Sequence, residues 1–167
     1  MPEGIVPEEL EPEEVRRLEG LLRARWAALA VAVPGGGPPA LSFVAFAPAP
    51  ALEGLVLHLS ELARHTRLLR EAGTAALGLS EPDPGGGDPQ RLARLTLEGP
   101  VELLASGDPR HEEARRAYLD RLPRAAPRFA FPDFRLFLLL PERARFVVGF
   151  GRALDLSPGT VLAAAGP

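Results

Sequence analysis

The residues with usable chemistry crowd into one stretch, Leu55 to Gly73, LVLHLSELARHTRLLREAG. Leu55, Leu57 and Leu59 alternate with Val56, His58 and Ser60, the two-residue period of a half-buried strand. Ser60 then falls where a helix N-cap belongs, and Glu61 puts an acid in the first turn. Gly73 suits the left-handed position after a C-cap. The spacing therefore predicts a strand, a polar junction and a short helix. Arg64, His65, Thr66 and Arg67 share one helical turn. Free backbone N–H groups, a hydroxyl and two guanidinium groups are what a phosphate needs. The plainer reading makes His65 an exposed helix residue paired with Glu61, and Arg64, Arg67 and Arg70 a solvated edge with Arg67 against Glu71.

Other candidates are more scattered. His58 shares a strand face with Ser60, so it either lines a pocket or is a satisfied barrel histidine. Arg94 stands beside Thr96 on a strand pattern, where it covers the barrel mouth or joins a surface ion pair. His111 opens a surface helix. No two of the three histidines have a metal-ligand spacing, so no metal is expected. The clusters PGGGPP and PGGGDP match neither a P-loop nor a dinucleotide fingerprint and read as turns. No pair of carboxylates is marked by spacing for acid–base work, and no catalytic side chain is assigned.

Composition narrows the classes. A chain of 167 residues suits one domain with a sizeable core. The net charge of −3 argues against a broad nucleic-acid surface. No run of about 18 apolar residues is present to span a membrane. The start, MPEGIVPEELEPEE, lacks the basic opening of a signal peptide, so a cytoplasmic protein is expected. Cysteine is absent, which excludes disulfides and thiolate chemistry. All 19 basic residues are arginine, so lysine Schiff bases are excluded and any anion must be held by Arg, His, hydroxyls or backbone. The 19 prolines and the lack of Asn fit a thermophile.

The elements that must position these residues follow from periodicity. Residues 1–11 read as a flexible arm, 12–155 as one domain and 156–167 as a tail that frays. Val15, Leu18, Leu22 and Trp26 recur at helical spacing after Pro12. The apolar runs 27–33 and 40–47 flank PGGGPP and read as a hairpin buried on both faces. Strands follow over 55–59, 74–80 and 91–105, with Gly99-Pro100 marking a bulge or edge. A helix begins near Asp108-Pro109 and stops at Pro123, residues 124–132 are irregular, and two strands cover 134–140 and 145–154. Antiparallel hairpins with few helices predict a mainly β fold, a closed or split β-barrel with flanking helices.

On these residues the chain resembles the pyridoxamine 5'-phosphate oxidase-like split barrels, and within them the haem-utilisation branch. The matching stretches are LVLHLSELARHTRLLREAGTAALGLSEP, DPQRLARLTLEGPVELL, EEARRAYLDRLP and FPDFRLFLLLPERARFVVGFGRA, together covering roughly residues 15–153 in the family's order. The resemblance implies a homodimer of six-stranded antiparallel split barrels with flavin mononucleotide (FMN) in a groove between subunits. It implies that Ser60, His65, Thr66 and Arg67 bind the cofactor phosphate, with Arg94 contributing from a later strand. Two departures stand out: His65 where many flavin-binding relatives carry Lys, and a first strand, AALAVAV, with no hydroxyl for a flavin ring. Haem-degrading members carry a further C-terminal region, whereas this sequence stops about a dozen residues after its last strand, so haem degradation is not expected to transfer. The leading expectation is an FMN-dependent oxidoreductase acting on a small molecule. The alternatives are a haem-binding protein of the same fold and a cofactor-free dimeric module.

Overall fold

The computed structural model describes residues 10–166, so most of the expected N-terminal arm lies outside the described residues. Helix α1 (Pro12–Leu22) starts with a proline at its first turn, where the missing N–H costs nothing. Strands β1 (Trp26–Val31), β2 (Ala40–Ala49) and β3 (Gly54–Ser60) lead to helix α2 (Arg64–Ala72), followed by β4 (Thr74–Ser80) and the long β5 (Arg94–Leu104). Helix α3 (His111–Arg121) precedes β6 (Phe134–Leu139), β7 (Arg143–Gly149), β8 (Arg152–Leu156) and helix α4 (Pro158–Ala164).

All strand pairings are antiparallel. The order β4-β1-β2-β3-β6-β5 closes on itself through a β4–β5 pairing, and β7 and β8 extend from β5. This is the expected six-stranded barrel with two further strands. It is split because two strands each serve two sheets. Residues 40–45 of β2 pair with β1 and residues 46–49 with β3. Residues 94–100 of β5 pair with β4 and residues 101–104 with β6. The crossing on β5 falls at Gly99-Pro100, where the sequence suggests a bulge or an edge; the β4–β5 register instead runs unbroken through both residues. A Cβ on Gly99 would lie 2.0 Å from the Leu140 carbonyl oxygen, so only glycine lets the β6–β7 connection pass this closely. Pro100 still accepts from the Leu140 N–H at 2.9 Å.

The barrel interior is filled by Leu29, Phe46, Leu57, Leu77, Leu95, Leu97 and Phe146, joined by Leu18, Leu21 and Leu22 of α1 and Leu69 of α2. A second cluster lies under α3, where Ala114 and Tyr118 meet Val56, Leu136 and Leu138.

Three expectations are corrected. The stretch 145–154 is not one strand: Gly151, at φ +82°, turns the chain between β7 and β8. The tail does not fray over 158–164 but forms α4, capped by Ser157, with Val161 and Leu162 buried. Burying each such side chain is worth about 1.5–3 kcal/mol, which holds a helix too short to persist alone. The β1–β2 hairpin is buried on one face only. Trp26, Leu41 and Phe43 are 60%, 66% and 59% exposed on the outside of the barrel.

Candidate cofactor site

The junction after β3 is shaped by the split. Pairing of β2 with β3 stops at Phe46 and Leu57, so the end of β3 is held only by β6, with Ser60 opposite Phe134. The strands part there, and α2 begins in the gap. Its N-cap is Ala63, not Ser60 as the sequence predicts. A turn intervenes, closed by the Ala63 N–H to the Ser60 carbonyl at 3.1 Å. The Ser60 hydroxyl donates to the Asp133 carboxylate and accepts from the Leu62 N–H at 3.2 Å. Alanine offers no side-chain cap. The first-turn amides of Arg64, His65 and Thr66 are therefore left without an intrahelical partner, at the positive end of the helix dipole.

The side chains around this turn sort clearly. Arg64 is exposed and, among the described residues, makes no ion pair or side-chain hydrogen bond. His65 is half-buried, and loss of solvation lowers its pKa, so the ring is neutral at neutral pH. Its expected partner Glu61 instead holds Arg70 at 2.5 Å and Arg135 at 3.1 Å. Arg67 donates to the Leu62 carbonyl at 2.6 Å rather than meeting Glu71. Thr66 is fully buried, and its Oγ1 has no hydrogen-bond partner.

Arg94 is on the other sheet, between Ser80 of β4 and Val147 of β7, and no strand pairing brings it beside the junction. It borders a trough of about 440 Å³ on the outer face of β1, β4 and β5, together with Thr96, Gly78 and Ala28. The opposite wall is the stacked pair Trp26 and Phe43, with ring centroids 6.3 Å apart and planes 11° from parallel. Phe43 and Ser60 each lie three residues past the last β2–β3 pair, where those strands have parted. The aromatic pair thus has Arg94 across the trough on one side and the split on the other. Beyond Trp26, the outward positions at the middle of β1 and β4 are small: Ala28, Ala30, Ala76 and Gly78. A planar ring could lie against such a surface with an anionic group at either side.

Sequence reasoning missed Trp26 and Phe43: it put Trp26 on the inward stripe of the first helix with Val15, Leu18 and Leu22, but α1 ends at Leu22 and Trp26 opens β1 with its ring outside the barrel. Phe43 lay in the apolar run 40–47, read as buried on both faces, and Trp26 directly before the run 27–33.

His58 does not line a pocket. It packs beneath α3, stacked on Phe129 with centroids 3.9 Å apart, near Tyr118 and Phe134. Its buried Nδ1 has no hydrogen-bond partner. Burial, then the charge of Arg128, lowers its pKa to about 4. Among the described residues no group of His, Asp or Glu is placed to hold a metal ion, and no helix is long and apolar enough to cross a membrane.

No family model and no curated protein sequence matches the chain. Solved structures do. A heme binding protein from Mycobacterium smegmatis superposes with a TM-score of 0.76 and 26% identity over 93% of this chain and 62% of its own. HutZ, the heme storage protein from Vibrio cholerae, gives 0.67 and 22% over 81% and 92%. A Clostridium acetobutylicum protein of the pyridoxinephosphate oxidase family gives 0.65 and 13% over 91% and 99%. A FAD-binding protein from Mesorhizobium loti gives 0.57 and 16% over 81% and 92%. The chain thus spans less than two thirds of the mycobacterial protein. The fold is the pyridoxamine 5'-phosphate oxidase-like split barrel, and among these neighbours a heme binding and a heme storage protein stand beside flavin-type ones.

Proposed function

We propose that the protein is a homodimeric split barrel that binds FMN in the groove between subunits, with the phosphate at the first turn of α2. The observation that carries this reading is the uncapped turn: Ala63 at the N-cap, three unpartnered amides, the free Arg64 and the orphaned Thr66 hydroxyl. These donors fit a phosphate dianion. His65 and Arg67 stand on the same turn. Ser60 joins such a site only by giving up its bond to Asp133. The flat Trp26–Phe43 pair suits a planar ring, and Arg94 and Thr96 supply polar groups across the trough. A second copy over the β1–β2–β4 face would remove Trp26, Leu41 and Phe43 from water, which favours association. Flavin bound there supplies redox chemistry, which makes the protein an FMN-dependent oxidoreductase of a small molecule. The chain's own groups hold the phosphate, orient the ring and exclude water.

Titrating FMN with the protein and following flavin fluorescence tests this. Saturable binding in the micromolar range is expected, and Arg64→Ala should weaken it about 10-fold or more, as for loss of one charged hydrogen bond. Binding that never saturates, or an unchanged dissociation constant in Arg64→Ala, overturns the reading. Haem is the second reading, favoured by the 26% identical heme binding protein. Its macrocycle would use the same aromatic pair and its propionates the same arginines. A Soret band on hemin addition without flavin quenching would favour it. A cofactor-free module predicts neither signal.

A further inference from the structure

The groove residue Arg94 sits at the start of β5, directly after a loop with little to hold it. Residues 81–93 carry Gly85 and Gly86 at φ +77°, and most of the loop's side chains are exposed. Such a segment delivers its next residue precisely only if its base is fixed. Here the base is closed by a backbone bond and clamped by one ion pair. Glu81 accepts the Ala93 N–H on Oε2 at 2.7 Å, and its own N–H donates to the Ala93 carbonyl at 2.9 Å. Arg17 of α1 grips both Glu81 oxygens, at 2.8 and 2.5 Å. The same guanidinium donates to the Arg91 carbonyl at 3.0 Å and to the Val148 carbonyl. One planar fork thus joins the end of β4, the lead-in to β5 and the end of β7. Arg94 pairs with Ser80 and Val147, the immediate neighbours of Glu81 and Val148. A lysine has no such fork and could not hold four acceptors in one plane. The pair is only about a quarter exposed, and Ala93 is fully buried.

We propose that Arg17 and Glu81 are positioning residues for cofactor binding, holding Arg94 at the groove so that its guanidinium meets an anionic group of the ligand. This rests on the reading of Arg94 as a cofactor ligand. The pair touches no ligand itself; it acts through the backbone of residues 91–93.

The test is a double-mutant cycle on the full chain with FMN as probe, read as dissociation constants by flavin fluorescence. Arg94→Ala is expected to raise the constant about 10-fold or more. Glu81→Gln is expected to raise it about fivefold in the parent and to add nothing in the Arg94→Ala background. In cofactor-free protein, the Ala93 amide should exchange hydrogen faster in Glu81→Gln. Effects that simply add, or a Glu81→Gln constant equal to the parent's while Arg94→Ala binds weakly, overturn the positioning role alone. An Arg94→Ala constant equal to the parent's overturns both this role and the placement of the cofactor beside Arg94. Should Glu81→Gln fail to fold, Arg17→Lys, which keeps the charge and loses the fork, carries the same cycle.

Discussion

Acid should weaken this protein through His58, and the size of the effect follows from its surroundings. The ring is stacked on Phe129 with an unpartnered Nδ1, and burial holds its pKa at about 4 against 6.5 for a free histidine. The folded value is depressed, so the unfolded chain takes up the proton first as pH falls. The stability from keeping the ring neutral is fully present above pH 6.5, drains as pH drops toward 4, and is gone below. The gap is worth about 3 kcal/mol at 1.36 kcal/mol per pH unit, and about 2.5 kcal/mol of it is lost between roughly pH 7.5 and pH 4.5. Urea unfolding of the parent and of His58→Phe at those two pH values, at equal protein concentration, measures it. Phenylalanine keeps the stacking and carries no proton. Glu14, Glu81 and Asp108 also have lowered pKa values, each chiefly through a hydrogen bond from an arginine. Their losses on acidification are common to both proteins and cancel. The parent should lose about 2.5 kcal/mol more than the variant. Equal losses would refute a neutral imidazole sealed beneath α3.

Gly99→Ala should cost about 3 kcal/mol or more in urea, because its Cβ would stand 2.0 Å from a backbone oxygen that cannot move aside. Thr66→Val should raise thermal stability slightly by removing an unpartnered buried hydroxyl, yet weaken FMN; weaker folding with unchanged binding would show that the hydroxyl serves the fold alone. Trp26→Ser with Phe43→Ser should turn a dimer of about twice 17.8 kDa into a monomer by light scattering, and an unchanged mass would place the subunit contact elsewhere.

Much of the fold was legible because local chemistry and global topology agree. Proline at the start of α1, glycine after α2 and the period-two run of β4 each name their element, and the run of β3 names a strand, though one buried on both faces rather than half-buried. Gly99-Pro100 marked an irregular place on β5, but as a bulge or edge rather than the change of sheets that falls there. The β1–β2 hairpin misled because an apolar run reads the same whether its outer face meets the protein's own core or is left open, as Leu41 and Phe43 are. The tail misled because α4 gains its stability from α1 and β7, contacts no local signal records. Around α2, the sequence put Arg64, His65, Thr66 and Arg67 on one helical turn, where the structure has them, but did not reveal their commitments. It could not show that Asp133, distant in sequence, takes the Ser60 hydroxyl, or that the cap falls on Ala63 and leaves the amides open.

A crystal structure of the protein grown with FMN tests the central claim most directly. The account predicts phosphate density on the first-turn amides of α2 beside Arg64, with the ring against Trp26 and Phe43 under a second subunit. A phosphate bound away from α2, or Trp26 and Phe43 left in solvent with the flavin elsewhere, would contradict it.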